Sequence, residues 1–110
     1  MSKKQTKTDE QKMWEMFKET HEKILNTVNK KFHDYGKEPL LKFADLGPFI
    51  KMDTKIQRVE GHYRGKVQMV DESVEDTFLD IAAFAIWAIV VRKFIKENKL
   101  KSYIITEVKS

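Results

Sequence analysis

Over residues 13–35 the apolar positions recur at intervals of three and four: Met13, Trp14, Phe17, Ile24, Leu25, Val28, Phe32 and Tyr35, with His21 on the same side. That period sets them along one face of a helix. Thr8 and Gln11 have the spacing of a capping box, and Gly36 followed by Pro39 supplies a stop signal. The pattern predicts one long helix over about residues 9–35. His21 is expected as a satisfied core histidine. Glu19 and Glu22 project to the opposite side and are expected in solvent.

The stretch that follows is irregular, with room for one short helical turn around residues 40–44. Pro48 after Gly47 suits the first turn of a second helix. This helix is expected to run to about Glu60, with Phe49, Met52, Ile56 and Val59 on its apolar side. Gly61 to Gly65 break the pattern, and residues 66–70 alternate as in a short strand or an extended loop. Asp71 or Ser73 stands where a cap for the last long helix is needed, over about residues 73–98. Its middle is apolar on nearly every side, including Phe78, Leu79, Phe84, Ile86, Trp87 and Val91. Such a helix belongs at the centre of a bundle or in an oligomer interface. The run from Ile81 to Val91 is too short to span a bilayer. Residues 102–108 are rich in β-branched side chains and form a candidate short strand.

The expected fold is therefore all-α, with three to five helices in a bundle completed by oligomerisation into a dimer or tetramer. One helical domain over residues 9–98 is expected between a disordered basic N-terminus, residues 1–8, and a C-terminal tail, residues 99–110. The composition agrees. A chain of 110 residues with 41% hydrophobic and 35% charged residues has enough apolar material for one core, and 4 Gly with 2 Pro are few for a turn-rich β fold. Cysteine is absent, which excludes disulfides, a thiolate nucleophile and a cysteine-type zinc site. A cytoplasmic setting fits. The N-terminal residues are polar, so no targeting segment is read there, and no membrane partner is expected.

The net charge is +4, and lysines concentrate towards the two ends. They are read as solvated ends rather than as a binding arm, and nucleic acid is not expected as a partner. Two charged stripes in the helices carry more information. Glu72, Asp76 and Asp80 are spaced by four, so they share one helical face, which Ala83 and Trp87 continue. Acids in a first turn meet the positive end of the helix dipole, which accounts for Glu72 and Asp76 without any function. Asp80 lies past that turn, between Leu79 and Ile81. A carboxylate there needs a partner: either a Lys or Arg, or a cation shared with its neighbours. Converging carboxylates are the usual protein share of a Mg²⁺ site, with phosphates and water supplying the rest. On the middle helix Lys51, Thr54, Lys55 and Arg58 form one polar, basic face, expected opposite Met52, Ile56 and Val59. It is either plain solvated surface or a phosphate-binding face. Lys31 projects near the apolar side of the first helix, where it either snorkels or reaches into a site.

The order of His33-Asp34-Tyr35-Gly36, the helix Lys51–Arg58 and the segment Asp71–Ile86 resembles the small phage and bacterial family called nucleotide modification associated domain 1. That family is itself similar to the MazG-like, all-α nucleotide pyrophosphohydrolases. The resemblance covers roughly residues 13–92. Its most specific part is Glu72, Ser73, Asp76, Thr77 and Asp80, and the Asp34-Tyr35-Gly36 triplet comes second. The resemblance implies an oligomeric all-α fold, Mg²⁺, and a nucleoside triphosphate cut between its α and β phosphates. It also implies substrate-binding roles for Asp34 and Tyr35. The chain departs from the family pattern at Thr54, where an acid is usual, and at Ala83 and Phe84, where Asn and Tyr are usual. It departs again at Phe32, where an Asn is usual.

The leading expectation is a Mg²⁺-dependent nucleotide pyrophosphohydrolase. Glu72, Asp76 and Asp80 hold the metal, and Asp76 and Asp80 are the catalytic acids. Lys31, Lys51, Lys55 and Arg58 bind phosphates. A non-catalytic nucleotide-binding or sequestering module is the alternative, and a purely structural helical oligomer is the third reading.

Overall fold

The capping box at the start of the first helix forms as expected. Thr8 Oγ1 accepts from the Gln11 backbone N–H at 3.2 Å, and Gln11 Oε1 accepts from the Thr8 N–H at 2.9 Å. From there α1 runs over Asp9–Tyr35. It ends at Gly36, whose φ of 70° favours glycine and whose N–H donates to the Phe32 carbonyl. These features belong to a computed structural model that describes residues 6–102, apart from the side chains of residues 71 and 72. The short turn resolves into α2 (Glu38–Leu41) and a 3₁₀ turn (Ala44–Leu46). α3 spans Gly47–Tyr63 with proline in its first turn, and α4 spans Asp71–Glu97.

The described residues are all-α, as expected, with four helices and no strand. Residues 66–70 take the extended-loop alternative. The loop is tied back by the Met69 N–H, which donates to His62 Nδ1 at 3.2 Å, and by Val67 against Gly61. The candidate strand over 102–108 lies outside the described residues except for Ser102, and so do residues 1–5 of the N-terminal segment. The expected caps of α4 are not used. The N-cap is Val70, extended at ψ 154°, with no side-chain hydrogen bond. α4 therefore begins at Asp71 rather than Ser73. No helix of the described residues is long and apolar enough to cross a membrane.

α3 and α4 make the principal contact of the fold. The core they share is small: Val59 from α3, and Val91 and Ile95 from α4, are its buried apolar residues. The 3₁₀ turn closes its lower end, where buried Asp45 accepts a hydrogen bond from the Ser102 hydroxyl. α1 is held differently. None of its residues is buried, and it meets α4 through its second half, where the Phe32 and Trp87 rings lie 5.3 Å apart. Its first half carries Met13, Trp14 and Phe17 in the open, with the last two rings stacked on each other at 5.4 Å. His21 is exposed as well, not the core histidine expected. The cause is common to all four: among the described residues no other helix packs against the first half of α1. The radius of gyration is 18.6 Å, whereas a compact chain of this size has about 13 Å.

Two substitutions separate the core from the helix end. Ile95→Ala is expected to lower the unfolding free energy by about 2–5 kcal/mol. Thr8→Ala, which removes only the cap, is expected to lower it by about 1 kcal/mol. Urea denaturation at one fixed protein concentration checks both, and equal losses would mean that the stabilising centre lies elsewhere.

Candidate functional site

Between the second half of α1, the start of α3 and the first half of α4 lies an open hollow of about 610 Å³. Its charged and hydroxyl groups come from three helices. α1 contributes Lys23, Thr27, Lys31 and Tyr35, α3 contributes Lys51, and α4 contributes Asp76 and Asp80. Aromatic side chains form much of the remaining wall: Phe32 from α1, and Phe84 and Trp87 from α4. The period of α4 explains the placement. Asp76, Asp80, Ala83 and Trp87 share one face and line the hollow, and Val91 and Ile95 continue the spacing of four from Trp87 into the buried core nearer the other end of the helix.

The specific segment of α4 thus divides by role. Asp76 is exposed and Asp80 half-exposed, both on the hollow. Thr77 is buried, and its hydroxyl donates to the Ser73 carbonyl at 2.7 Å, so this polar pair is satisfied within the helix. Asp80 has the partner that its position calls for: Lys55 Nζ lies 3.3 Å from Oδ2. Both side chains keep about one-third of their surface in solvent, 33% for Lys55 and 36% for Asp80. Lys51 Nζ stands 5.8 Å from the centre of the Phe84 ring, within the range of a cation–π contact. Phe84, where the resembled family has Tyr, therefore presents a ring face to a cation.

Lys31, Tyr35, Lys51, Asp76 and Asp80 are brought together around one space. Lys55 stands at its edge through Asp80. Asp34 and Arg58 are exposed and do not line the hollow. The Glu72 side chain lies outside the described residues. Among the described residues no group of three or more His, Asp or Glu is placed to hold a metal ion. The basic face of α3 is not opposite its apolar side, as expected from sequence, but beside it. Lys55 precedes buried Val59 by one turn and is itself half-buried, because α4 covers the boundary between the two faces. Thr54, at the position where an acid is usual, turns its hydroxyl to the Ile50 carbonyl at 3.1 Å.

Lys23 and Thr27 were not singled out by sequence reasoning. The sequence signal for them is their spacing: Lys23, Thr27 and Lys31 recur every four residues along one edge of the helix, beside its apolar stripe. No protein-family model, curated protein or solved structure matches this chain.

An ion pair this exposed contributes little to stability. Asp80→Asn is expected to change the unfolding free energy by no more than about 1 kcal/mol. Chemical denaturation of the variant checks this. A loss of several kcal/mol would make Asp80 a structural residue rather than a usable site group.

Proposed function

We propose that the hollow binds a nucleoside triphosphate as its Mg²⁺ complex, and that the protein is a nucleotide pyrophosphohydrolase releasing pyrophosphate and a monophosphate. One observation carries this reading: Asp76 and Asp80 face Lys23, Lys31 and Lys51 across a single hollow with an aromatic wall. Lysines supply point charges for phosphate oxygens, and rings offer a surface for a base. The resemblance of Glu72, Asp76 and Asp80 to the nucleotide modification associated domain 1 pattern supports the same reading.

The donor chemistry fits Mg²⁺. Two carboxylates one helical turn apart are hard oxygen ligands, and Mg²⁺ commonly takes one or two of these together with substrate phosphates and water. Asp76 and Asp80 would hold it, with Glu72 as a third candidate by sequence position. When bound, the ion supplies positive charge to the phosphates and acidity to a coordinated water. The protein's own share is placement. Lys31 and Lys51 approach from α1 and α3 to fix the phosphate chain, and Tyr35, Phe32 and Trp87 offer the apolar side of the hollow to the base.

A second reading has its own support. Lys55 already neutralises Asp80, which weakens the pull of the site on a metal and favours a module that binds nucleotides without cutting them. Pyrophosphate release from a panel of ribo- and deoxynucleoside triphosphates, with and without Mg²⁺, separates the two. Mg²⁺-dependent release is expected, reduced at least about a hundredfold by Asp80→Asn. Thermal stabilisation by the same nucleotides without release would establish the binding module instead, and neither signal would sink both.

The protein is also proposed to be a homo-oligomer, a dimer or tetramer. The uncovered stripe of Met13, Trp14 and Phe17 and the exposed Phe78, Ile86 and Ile89 of α4 support a second copy as the covering partner, because the same chain offers two unpartnered apolar faces. Sedimentation is expected to show an oligomer at micromolar concentration that Trp14→Glu with Phe17→Glu dissociates. A monomer in the unmodified protein would remove the idea.

A further inference from the structure

A dense excess of positive charge lies at the end of α4. Residues 92–101 carry five basic residues, Arg92, Lys93, Lys96, Lys99 and Lys101, against the single acid Glu97. That is an excess of four within ten residues. Along the sequence these lysines read as a solvated tail. In the fold, four of the five surround one open hollow of about 710 Å³ at the end of α4, which shares no lining residue with the site above.

The gathering has two structural causes. Arg92, Lys96 and Lys99 are spaced by four and three, so they fall on one side of the helix axis and its continuation. The chain then folds back across the helix end. The Leu100 N–H donates to the Ile95 carbonyl at 2.9 Å, and Lys99 adopts a φ of 53°, a left-handed conformation uncommon outside glycine. This turn brings Lys99 to the rim of the hollow. At the base of the hollow, buried Asp45 is engaged by Ser102. Arg92, Lys93, Lys96 and Lys99 are all exposed, and among the described residues none of them forms an ion pair. The helix dipole favours a cation in the last turn, which accounts for Lys96. It does not account for Arg92, more than a turn earlier, nor for four like charges around one recess.

We propose that this end of α4 binds the phosphodiester backbone of a nucleic acid strand without reading its sequence. The stripe from Arg92 to Lys99 is about 10 Å long at helical rise, which suits an extended polyanion rather than a single phosphate group. Among the described residues no aromatic ring, Asn or Gln lines the hollow, so these offer no stacking surface and no amide for a base edge. The recess is concave, which suits a strand better than a flat lipid surface. This site stands whether or not the first hollow cuts nucleotides.

Fluorescence anisotropy of the full chain with labelled mixed-sequence single strands of about 20 nucleotides tests it. Four cations on a single strand give a slope of about −3 for log affinity against log salt, or about a fifty-fold loss from about 50 to about 200 mM. The double variant Arg92→Ala, Lys96→Ala is expected to weaken binding for every sequence and to flatten the slope by about 1.4, with unchanged helix content by circular dichroism. Lys31→Ala, in the other hollow, is expected to leave binding as it was. Absence of binding at low salt would overturn the proposal. A slope unmoved by the double variant would overturn it too, as would binding to anionic phospholipid vesicles or inorganic triphosphate in preference to the oligonucleotide.

Discussion

α4 has more apolar surface than any one neighbour in the chain covers, and the rest of the fold follows from how that surface is divided. One strip changes partner along its length: its last turns, with Val91 and Ile95, go to the small core shared with α3. Its earlier turns, with Ala83 and Trp87, face the second half of α1 across the hollow. A second strip, with Phe78, Ile86 and Ile89, is left open. If α3 were moved, both would shift together, because a rigid helix turns its faces as one body. The acids reach the hollow because Asp76 and Asp80 share the α1-facing strip, and Lys55 meets Asp80 because α3 packs beside that strip.

The same division explains which parts of the fold were legible in the sequence. α1 is readable to the residue because its signals are local: a capping box of two side chains, a regular stripe, and a glycine at its end, where φ is positive. The sequence places the start of α4 two residues late because Asp71 and Ser73 are good capping residues by type, while the chain enters the helix on extended Val70. His21 was read as buried because it lies on the apolar stripe. A stripe, however, records what a helix is able to bury, not what a single chain supplies to cover it. The exposed Trp14 and Phe17 make the same point.

Of the candidate site, Asp76 and Asp80 are legible in the sequence and the bases only partly, while the Glu72 side chain lies outside the described residues. Asp76 and Asp80 follow from helical spacing alone. Asp34 and Arg58 have suitable chemistry but stand on faces that the packing turns away from the hollow. Lys23 and Thr27 were overlooked because a charged residue at the edge of an amphipathic helix is normally solvated surface. Which edge becomes a wall depends on the approach of α4 to α1, a tertiary fact that no local pattern of α1 contains. The basic cluster at the end of α4 is a similar case, since the turn through Lys99 and Leu100 is what gathers a scattered lysine run around one recess.

The Lys55–Asp80 pair bears on the first hollow in a way that its short distance alone conceals. A fully buried pair would hold Asp80 in place, since separating the charges would leave each one desolvated. At about one-third exposure the exchange is mild, because water reaches both groups as they part. An incoming polyphosphate offers Lys55 a stronger anion than a single carboxylate, and a divalent ion offers Asp80 a stronger cation than an ammonium. Under the proposed function both replacements would favour the same event, the arrival of a metal–phosphate complex. The pair is a weak contact between two opposite charges beside the hollow, and its exposure leaves each of them able to exchange its partner.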